Sequence, residues 1–286
     1  MCDIVPQKKA FVPAIATAAL CAALLSATAQ ADLRPEPVPG GVAEIHVAAA
    51  GNPRPEVRFD GRPVLLRQRA DGWHAVVGLP LDTPVGEQTI QIGPEGNGRA
   101  QTFVVGPKAY PEQRLTIKNP KMVTPPADEL ARIAEERERQ LAIRSRFRDV
   151  PVNRVDLDLP ADGRLSSRFG LRRIFNGEPR APHTGLDVAV PTGTPIRAPA
   201  DGVVSLVDDL YFNGKTVFVD HGQGFVSMVC HLDQARVEVG QKVARGERLG
   251  DAGSSGRATG PHLHWSVYLN GAAVDPALFI APPKAR

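Results

Sequence analysis

Residues 262–269 read His262-Leu263-His264-Trp265-Ser266-Val267-Tyr268-Leu269, in which a pair of histidines leads into a candidate β-strand from His264 to Leu269. Alternate side chains of a strand point to the same face, so His262 and His264 would project together. Chance alone seldom places two of seven histidines two residues apart. The stretch therefore predicts a strand that presents two imidazoles to one site.

The pattern of the surrounding C-terminal region, 151–286, is also that of strands broken by many glycines and prolines. No long helix is indicated there. A compact antiparallel β-sheet or barrel-like domain is expected. Its further candidate strands are Gly202 to Val207, Thr216 to Asp220 and Phe225 to His231.

The N-terminal region, 32–122, shows short alternating stretches separated by turn clusters such as Asp60-Gly61 and Asp71-Gly72. Strands at this spacing predict a small antiparallel β-sandwich that is accessory to the C-terminal domain. Its histidines, His46 and His74, have no second ligand type at a metal-like spacing, and both are expected to be structural.

A connecting helix is predicted within the linker at 123–150. Apolar residues recur near helical spacing between Ala127 and Phe147, among many glutamates and arginines. Thr124 can cap this helix, and the Glu/Arg pairs at i,i+4 favour a solvated face over a partner-binding one. The predicted fold class is thus mainly β: a small N-terminal β-sandwich, a connecting α-helix and a C-terminal antiparallel β-sheet domain.

Residues 1–31 have the pattern of a secretory signal peptide. Lys8 and Lys9 precede an apolar run from Ala10 to about Leu25, and Ala29-Gln30-Ala31 fits a signal peptidase site. A membrane anchor is the alternative, but the run is short and weakly apolar. We expect export, with no stable membrane span after cleavage.

The composition, 42% hydrophobic and 23% charged, is that of a soluble globular protein. A formal net charge of +3 is too small to indicate nucleic-acid binding. Cys230 is the only cysteine outside the predicted signal, so no internal disulfide can form. We expect Cys230 to be a buried apolar residue, with a nucleophile as the alternative.

Five of the seven histidines lie between positions 183 and 264. In His183-Thr184-Gly185-Leu186-Asp187 an imidazole and a carboxylate stand four residues apart, and Gly185 allows the backbone to bend so that both can reach one ion. Catalytic zinc usually has three nitrogen or oxygen ligands and an open position. His183, Asp187 and one of His262 or His264 would make such a set, with the other histidines available for proton transfer.

The sequence resembles the lysostaphin-type (LytM-like) zinc endopeptidases of bacterial cell walls from about Gly163 to Pro276. The order and spacing of five motifs carry the resemblance: Ser167-Arg168-Phe169-Gly170, Pro182-His183-Thr184-Gly185-Leu186-Asp187, Asp220-His221-Gly222-Gln223-Gly224, His231-Leu232, and Ser255-Gly256 through Thr259-Gly260-Pro261-His262-Leu263-His264.

The resemblance implies that His183, Asp187 and His264 bind Zn²⁺, while His231 and His262 act as catalytic histidines that do not bind the metal. His221 matches a position that is not a ligand. A tyrosine often stands two residues before the equivalent of His231 in this family, and here that position is Val229. We expect this departure to alter substrate packing without loss of activity.

The function that the resemblance implies is hydrolysis of peptide cross-links in peptidoglycan. The N-terminal region looks like the accessory region of proteobacterial relatives, so we expect a periplasmic enzyme that acts on the bond from D-alanine to diaminopimelate rather than on a glycine bridge. Two alternatives remain: a catalytically inactive wall-binding activator of an amidase, and a structural zinc module in a wall-binding scaffold.

Overall fold

The computed structural model describes Met1 and residues 32–94, 96–152 and 154–281. Apart from Met1, the predicted signal peptide lies outside the described residues. Within the described ranges the chain forms twenty strands, a single α-helix and two short 3₁₀ segments. The predicted mainly β class is therefore confirmed.

Eight strands precede the helix: β1 (Val42–Ala49), β2 (Val57–Phe59), β3 (Arg62–Pro63), β4 (Leu65–Arg69), β5 (Gly72–Gly78), β6 (Gly86–Ile92), β7 (Arg99–Val105) and β8 (Glu112–Leu115). One antiparallel sheet has the order β1-β5-β4 and a second has the order β3-β2-β6-β7. Both sheets contribute apolar side chains to one buried cluster, which includes Val77 and Ile90. This is the sandwich expected from the alternating pattern, because each strand buries one face.

The helix, α1, spans Ala127–Ser145 and follows a 3₁₀ segment at Pro120–Met122. The prediction that Thr124 caps it is wrong, because Pro126 occupies the N-cap position and no side chain caps the helix there. Glu136 is buried; it pairs with Arg132 at 2.7 Å and accepts a hydrogen bond from the Tyr211 backbone N–H at 2.8 Å. One part of the charged helix surface is thus packed against the C-terminal region. No helix in the described ranges is long and apolar enough to cross a membrane.

Twelve strands follow the helix: β9 (Arg164–Ser167), β10 (Arg172–Phe175), β11 (Glu178–Pro179), β12 (Leu186–Ala189), β13 (Pro195–Arg197), β14 (Gly202–Leu210), β15 (Gly214–Gly222), β16 (Phe225–Ala235), β17 (Lys242–Val243), β18 (Arg248–Ala252), β19 (Leu263–Leu269) and β20 (Ala272–Val274). The largest sheet has the order β17-β14-β15-β16-β19-β12-β9, with β13, β18 and β20 paired beside it. A second 3₁₀ segment spans Pro276–Leu278.

A separate small sheet has the order β11-β10-β8, in which β8 pairs with β10 in parallel. Residues on both sides of α1 therefore share one sheet. The largest apolar cluster also joins Val42 and Leu65 of the N-terminal region to Trp265 and Phe279 of the C-terminal region. The domain boundaries expected from the sequence, 32–122, 123–150 and 151–286, stay a prediction.

The central strand β19 positions the candidate site because it pairs with β12 on one side and with β16 on the other. In the β12–β19 register Asp187 lies directly opposite His264. In the β16–β19 register Cys230 lies opposite the same histidine. Residues opposite each other in an antiparallel pair have Cβ atoms about 4.5–5.5 Å apart. The sheet thus brings together residues that are far apart in sequence.

Candidate metal centre

His183, Asp187 and His264 place three potential ligand atoms at one point. Asp187 Oδ1 lies 2.9 Å from His183 Nε2 and 2.8 Å from His264 Nδ1, and the two nitrogens are 3.0 Å apart. Ligand atoms around a tetrahedral ion with bonds of about 2.1 Å are separated by roughly 3.3 Å. A small outward movement of the three side chains would therefore admit a metal ion, and this group could hold one.

The chemistry of the three groups also fits a cation. His183 Nδ1 is 2.7 Å from the Arg168 carbonyl oxygen, which can only accept a hydrogen bond, so Nδ1 carries the ring proton. The Nε2 atom of the neutral ring then has a lone pair, and it faces the Asp187 carboxylate. Lone pairs that converge in a buried place repel one another unless a cation lies between them.

Burial keeps the other two groups in the states that a metal ligand needs. Burial lowers the pKa of His264 to about 4, against the effect of Asp187, so the ring is neutral at pH 7. Burial alone would raise the pKa of the Asp187 carboxyl, but its close contacts with His183 and His264 hold it below the ordinary value. His264 Nε2 also contacts Ser266 Oγ at 2.9 Å, which fixes the ring orientation.

The packing around position 185 leaves no room for a side chain, so a glycine is required there. A Cβ atom there would lie 2.4 Å from the Trp265 carbonyl oxygen and 2.8 Å from the His264 ring. The sequence pattern indicated that this glycine allows a bend, but its φ does not lie in the left-handed region. The physical reason is different: only a residue without a side chain lets this segment lie against the ligand ring.

His231 and His262 form a second pair beside the ligand group. Their ring centres are 4.8 Å apart, and the centre of the His231 ring is 6.0 Å from that of His264. His231 Nδ1 lies 2.8 Å from the Ser255 carbonyl oxygen, and His262 Nδ1 lies 2.8 Å from that of Gly260. Each Nδ1 therefore donates, which leaves both Nε2 atoms as acceptors when the rings are neutral.

The backbone and the surroundings of His231 are unusual. Its φ of 60° is in the left-handed region, which non-glycine residues rarely adopt and which is enriched at functional sites. Burial, together with the neighbouring His264 and His262, lowers the pKa of this ring to about 3. His231 is therefore neutral near pH 7 and can accept a proton.

Two other residues lie outside this group. His221 is buried, and its ring nitrogens contact the Asp201 carbonyl oxygen at 2.7 Å and Ser227 Oγ at 2.9 Å. Cys230 is fully buried, and burial raises the pKa of its thiol to about 12. A thiol with this pKa is a poor nucleophile at neutral pH, so the geometry favours the apolar interpretation.

The expectation that no ligand type accompanies His46 and His74 is wrong. Asp71 Oδ1 lies 2.9 Å from His74 Nε2, and the three residues form a second group that could hold a metal ion. Sequence spacing did not show this group, because His46 lies on β1 and reaches Asp71 only through the pairing of β1 with β5. His46 and Asp71 are exposed, in contrast to the buried ligand group.

A groove lies over the buried ligand group. Phe212 and Asn213 line it, as does Arg257 from the 253–260 loop. Arg144 of α1 and Arg173 of β10 also line it. These arginines were not singled out from the sequence, because nothing in the pattern distinguishes them among 34 lysines and arginines.

Comparisons with known proteins agree with this geometry. The family described as peptidase family M23 matches residues 181–276, and its N-terminal domain matches residues 35–108. A Pseudomonas aeruginosa crystal structure described as a peptidase M23 is 45% identical, with a TM-score of 0.72 and a match that covers 86% of this chain and 96% of that one. This chain belongs to peptidase family M23, which confirms the family expected from the motifs.

Two curated relatives match a shorter region. Peptidoglycan DD-endopeptidase ShyA of Vibrio cholerae is 42% identical over 113 residues, which are 39% of this chain and 26% of the relative. DD-carboxypeptidase/endopeptidase Mpg of Neisseria meningitidis is 40% identical over 119 residues, 42% of this chain and 27% of the relative. The matched region thus spans about a quarter of the length of these relatives.

Proposed function

We propose that this protein is a zinc-dependent endopeptidase that hydrolyses peptide cross-links of peptidoglycan, with the bond from D-alanine to diaminopimelate as its target. The convergence of His183 Nε2, Asp187 Oδ1 and His264 Nδ1 within 3.0 Å of one another carries the proposal. Two nitrogens and one oxygen with an open side are the ligands typical of catalytic zinc. The names of the Vibrio and Neisseria relatives support the substrate class.

In this proposal His183, Asp187 and His264 hold Zn²⁺. When bound, the ion polarises the scissile carbonyl and lowers the pKa of water towards about 7. Asp187 leaves the site with one positive charge after ligation, because both histidines are neutral. The Arg168 carbonyl and Ser266 hydroxyl fix the orientation of the two rings.

His231 and His262 move protons. Each holds its ring proton on Nδ1 against a backbone carbonyl, so Nε2 is the atom that can take a proton from the attacking water and deliver it to the leaving amine. The depressed pKa of His231 makes a transferred proton short-lived on that ring, which favours its passage to the amine. The protonated ring can also stabilise negative charge on the carbonyl oxygen.

The site of action in this proposal is the periplasm, after export directed by residues 1–31. Fractionation of cells that express the full chain, followed by N-terminal sequencing, checks this part. A mature protein that begins at Asp32 in the periplasmic fraction is expected. Retention of an uncleaved N-terminus in the membrane fraction would instead support the alternative in which residues 1–31 act as a membrane anchor.

Digestion of purified Gram-negative sacculi, with released fragments identified by mass spectrometry, tests the function. The zinc-loaded protein is expected to convert cross-linked dimers to monomers, and a zinc chelator is expected to abolish the conversion. The matched control is the His231→Ala protein with verified zinc content. Intact sacculi in the presence of bound zinc would overturn the endopeptidase and favour the amidase-activator alternative, which an added amidase would then reveal.

A further inference from the structure

The groove over the ligand group is strongly cationic. Its positive charge comes from the three arginines Arg144, Arg173 and Arg257, and no carboxylate lines it among the described residues. Asp187 lies beneath it, within the ligand group. A groove with this charge favours a ligand that brings negative charge.

Arg257 contacts two aromatic rings and has no carboxylate partner among the described residues. Its guanidinium carbon lies 4.4 Å from the centre of the Phe212 ring and 5.1 Å from that of Phe175. Its side chain donates to the Met122 carbonyl oxygen at 3.3 Å, and no ion pair involves it within the described ranges. Burial lowers the pKa of Arg257 to about 10, and the charge of Arg173 contributes, so the group stays cationic at pH 7.

Arg173 extends this positive charge to the ligand group. Its Nη2 lies 3.5 Å from Asp187 Oδ2, and its guanidinium carbon lies 5.7 Å from the centre of the Phe175 ring that Arg257 also contacts. Its Nε atom is buried and has no hydrogen-bond partner in the described part of the chain. Since buried polar groups are normally satisfied, this donor has an unmet hydrogen-bonding capacity beside the place where the amide would react.

We infer that Arg257 and Arg173 form a subsite for a free carboxylate of the peptide, next to the scissile amide. This inference rests on the proposed function and narrows its substrate class. In a bond from D-alanine to diaminopimelate, the carbon that bears the scissile nitrogen also bears a carboxylate. An oligoglycine bridge has no charge there. Guanidinium groups bind carboxylates by paired, charge-assisted hydrogen bonds. The groove therefore favours the bond from D-alanine to diaminopimelate over an oligoglycine bridge.

Two synthetic peptides test the subsite: acetyl-D-alanyl-meso-diaminopimelate with the carboxylate beside the amide either free or converted to a carboxamide. For the zinc-loaded full chain, kcat/KM should be about 10- to 100-fold higher for the free acid, as expected for one charge-assisted contact. Arg257→Gln should reduce this ratio to below about threefold, mainly through KM. Arg172→Gln, an exposed neighbour on β10, should keep the wild-type ratio.

The outcomes separate the subsite from the proposed function. Hydrolysis of both peptides at equal rates by the wild type would overturn the subsite and leave the endopeptidase standing. An Arg257→Gln protein that loses activity on both peptides equally would show a merely structural arginine. Absence of any hydrolysis would count against the function instead.

A binding measurement keeps the subsite testable in that last case. Calorimetric titration of the zinc-loaded His231→Ala protein with each peptide should give about tenfold tighter binding of the free acid. The same preference should disappear when Arg257→Gln is added. If the preference for the free acid is the same with and without Arg257→Gln, or is absent in both proteins, the subsite is refuted, whether or not the wild type cuts either peptide.

Discussion

Two groups of two histidines and one aspartate lie in the described chain, and they differ in burial. His183, Asp187 and His264 are 0%, 7% and 7% exposed. In the other group, His46 and Asp71 are exposed and His74 is only partly covered. In both groups the potential ligand atoms lie within 4.8 Å of one another. Proximity of ligand atoms is therefore a property that the two groups share.

The surroundings of the rings distinguish the two groups. At the buried site a carbonyl and a hydroxyl hold the outer ring nitrogens of His183 and His264, so their inner nitrogens face the carboxylate. At the surface, water can satisfy His46 and Asp71, and the hydrogen bond from His74 lowers the pKa of Asp71. A metal ion would relieve repulsion at the first site, whereas at the second it would displace water. Burial and ring orientation therefore distinguish the group that favours a cation from the group that does not need one.

The largest expected effect comes from removing one ligand at each site. Asp187→Asn should lose stoichiometric zinc and about 10³-fold or more of the activity, because the carboxylate supplies the only negative ligand. Asp71→Asn should retain one zinc per chain and full activity. Metal content by elemental analysis, beside cross-link hydrolysis, measures both. Equal zinc loss in the two variants would erase the proposed difference between the groups.

Next in size is a change that separates proton transfer from metal binding. His231→Ala should keep one bound zinc and lose about 10²- to 10⁴-fold in kcat, the range typical of a general acid–base residue. His74→Ala, a partly exposed histidine of the other group, is the matched control and should be fully active. Zinc loss in His231→Ala would move this residue into the ligand set.

Acid should destabilise the zinc-free protein through its buried neutral histidines. Burial lowers the pKa of His221 from 6.5 to about 4, so between these values the unfolded chain takes up a proton that the folded chain does not. The free energy of unfolding should therefore fall as the pH drops from about 6.5 to about 4, by on the order of 3 kcal/mol for this residue.

Urea unfolding of the zinc-free protein across this pH range measures the effect. His221→Gln should reduce the slope by the share of this residue, because His231 and His264 carry the rest, while His46→Gln, which changes an exposed ring, should leave it as in the wild type. A wild-type slope that survives His221→Gln unchanged would show that other groups carry the acid sensitivity.

The smallest expected effect is on zinc affinity, and it comes from the close contact between Gly185 and the His264 ring. Gly185→Ala would bring a Cβ to 2.8 Å from the His264 ring, so zinc affinity should fall about 10- to 100-fold, as for other changes that displace ligand orientation. Gly260→Ala is the control, since a Cβ there meets nothing within 4 Å. Competition with a zinc chelator measures the zinc affinity of both variants. An unchanged affinity in Gly185→Ala would mean that the His264 ring can move aside without loss of zinc binding.

Parts of this molecule follow from local pattern. The pattern predicted a strand from His264 to Leu269, and strand β19 covers Leu263–Leu269. The turn clusters before residue 108 predicted the sandwich, and the helix ends within two residues of its expected limit. Thr124 failed as a cap, because prolines restrict the chain between it and the first helical turn.

Local sequence specifies the types of residue available: His183 and Asp187 four positions apart, two histidines in alternation, and no second cysteine outside the predicted signal for a disulfide. Long-range strand pairing specifies which of these groups meet, because register places Asp187 opposite His264 and cross-strand pairing joins His46 to Asp71. The same holds for Arg173 and Arg257, which share the Phe175 ring from distant segments. Charge, burial and distance between such residues depend on long-range packing, which local periodicity does not encode.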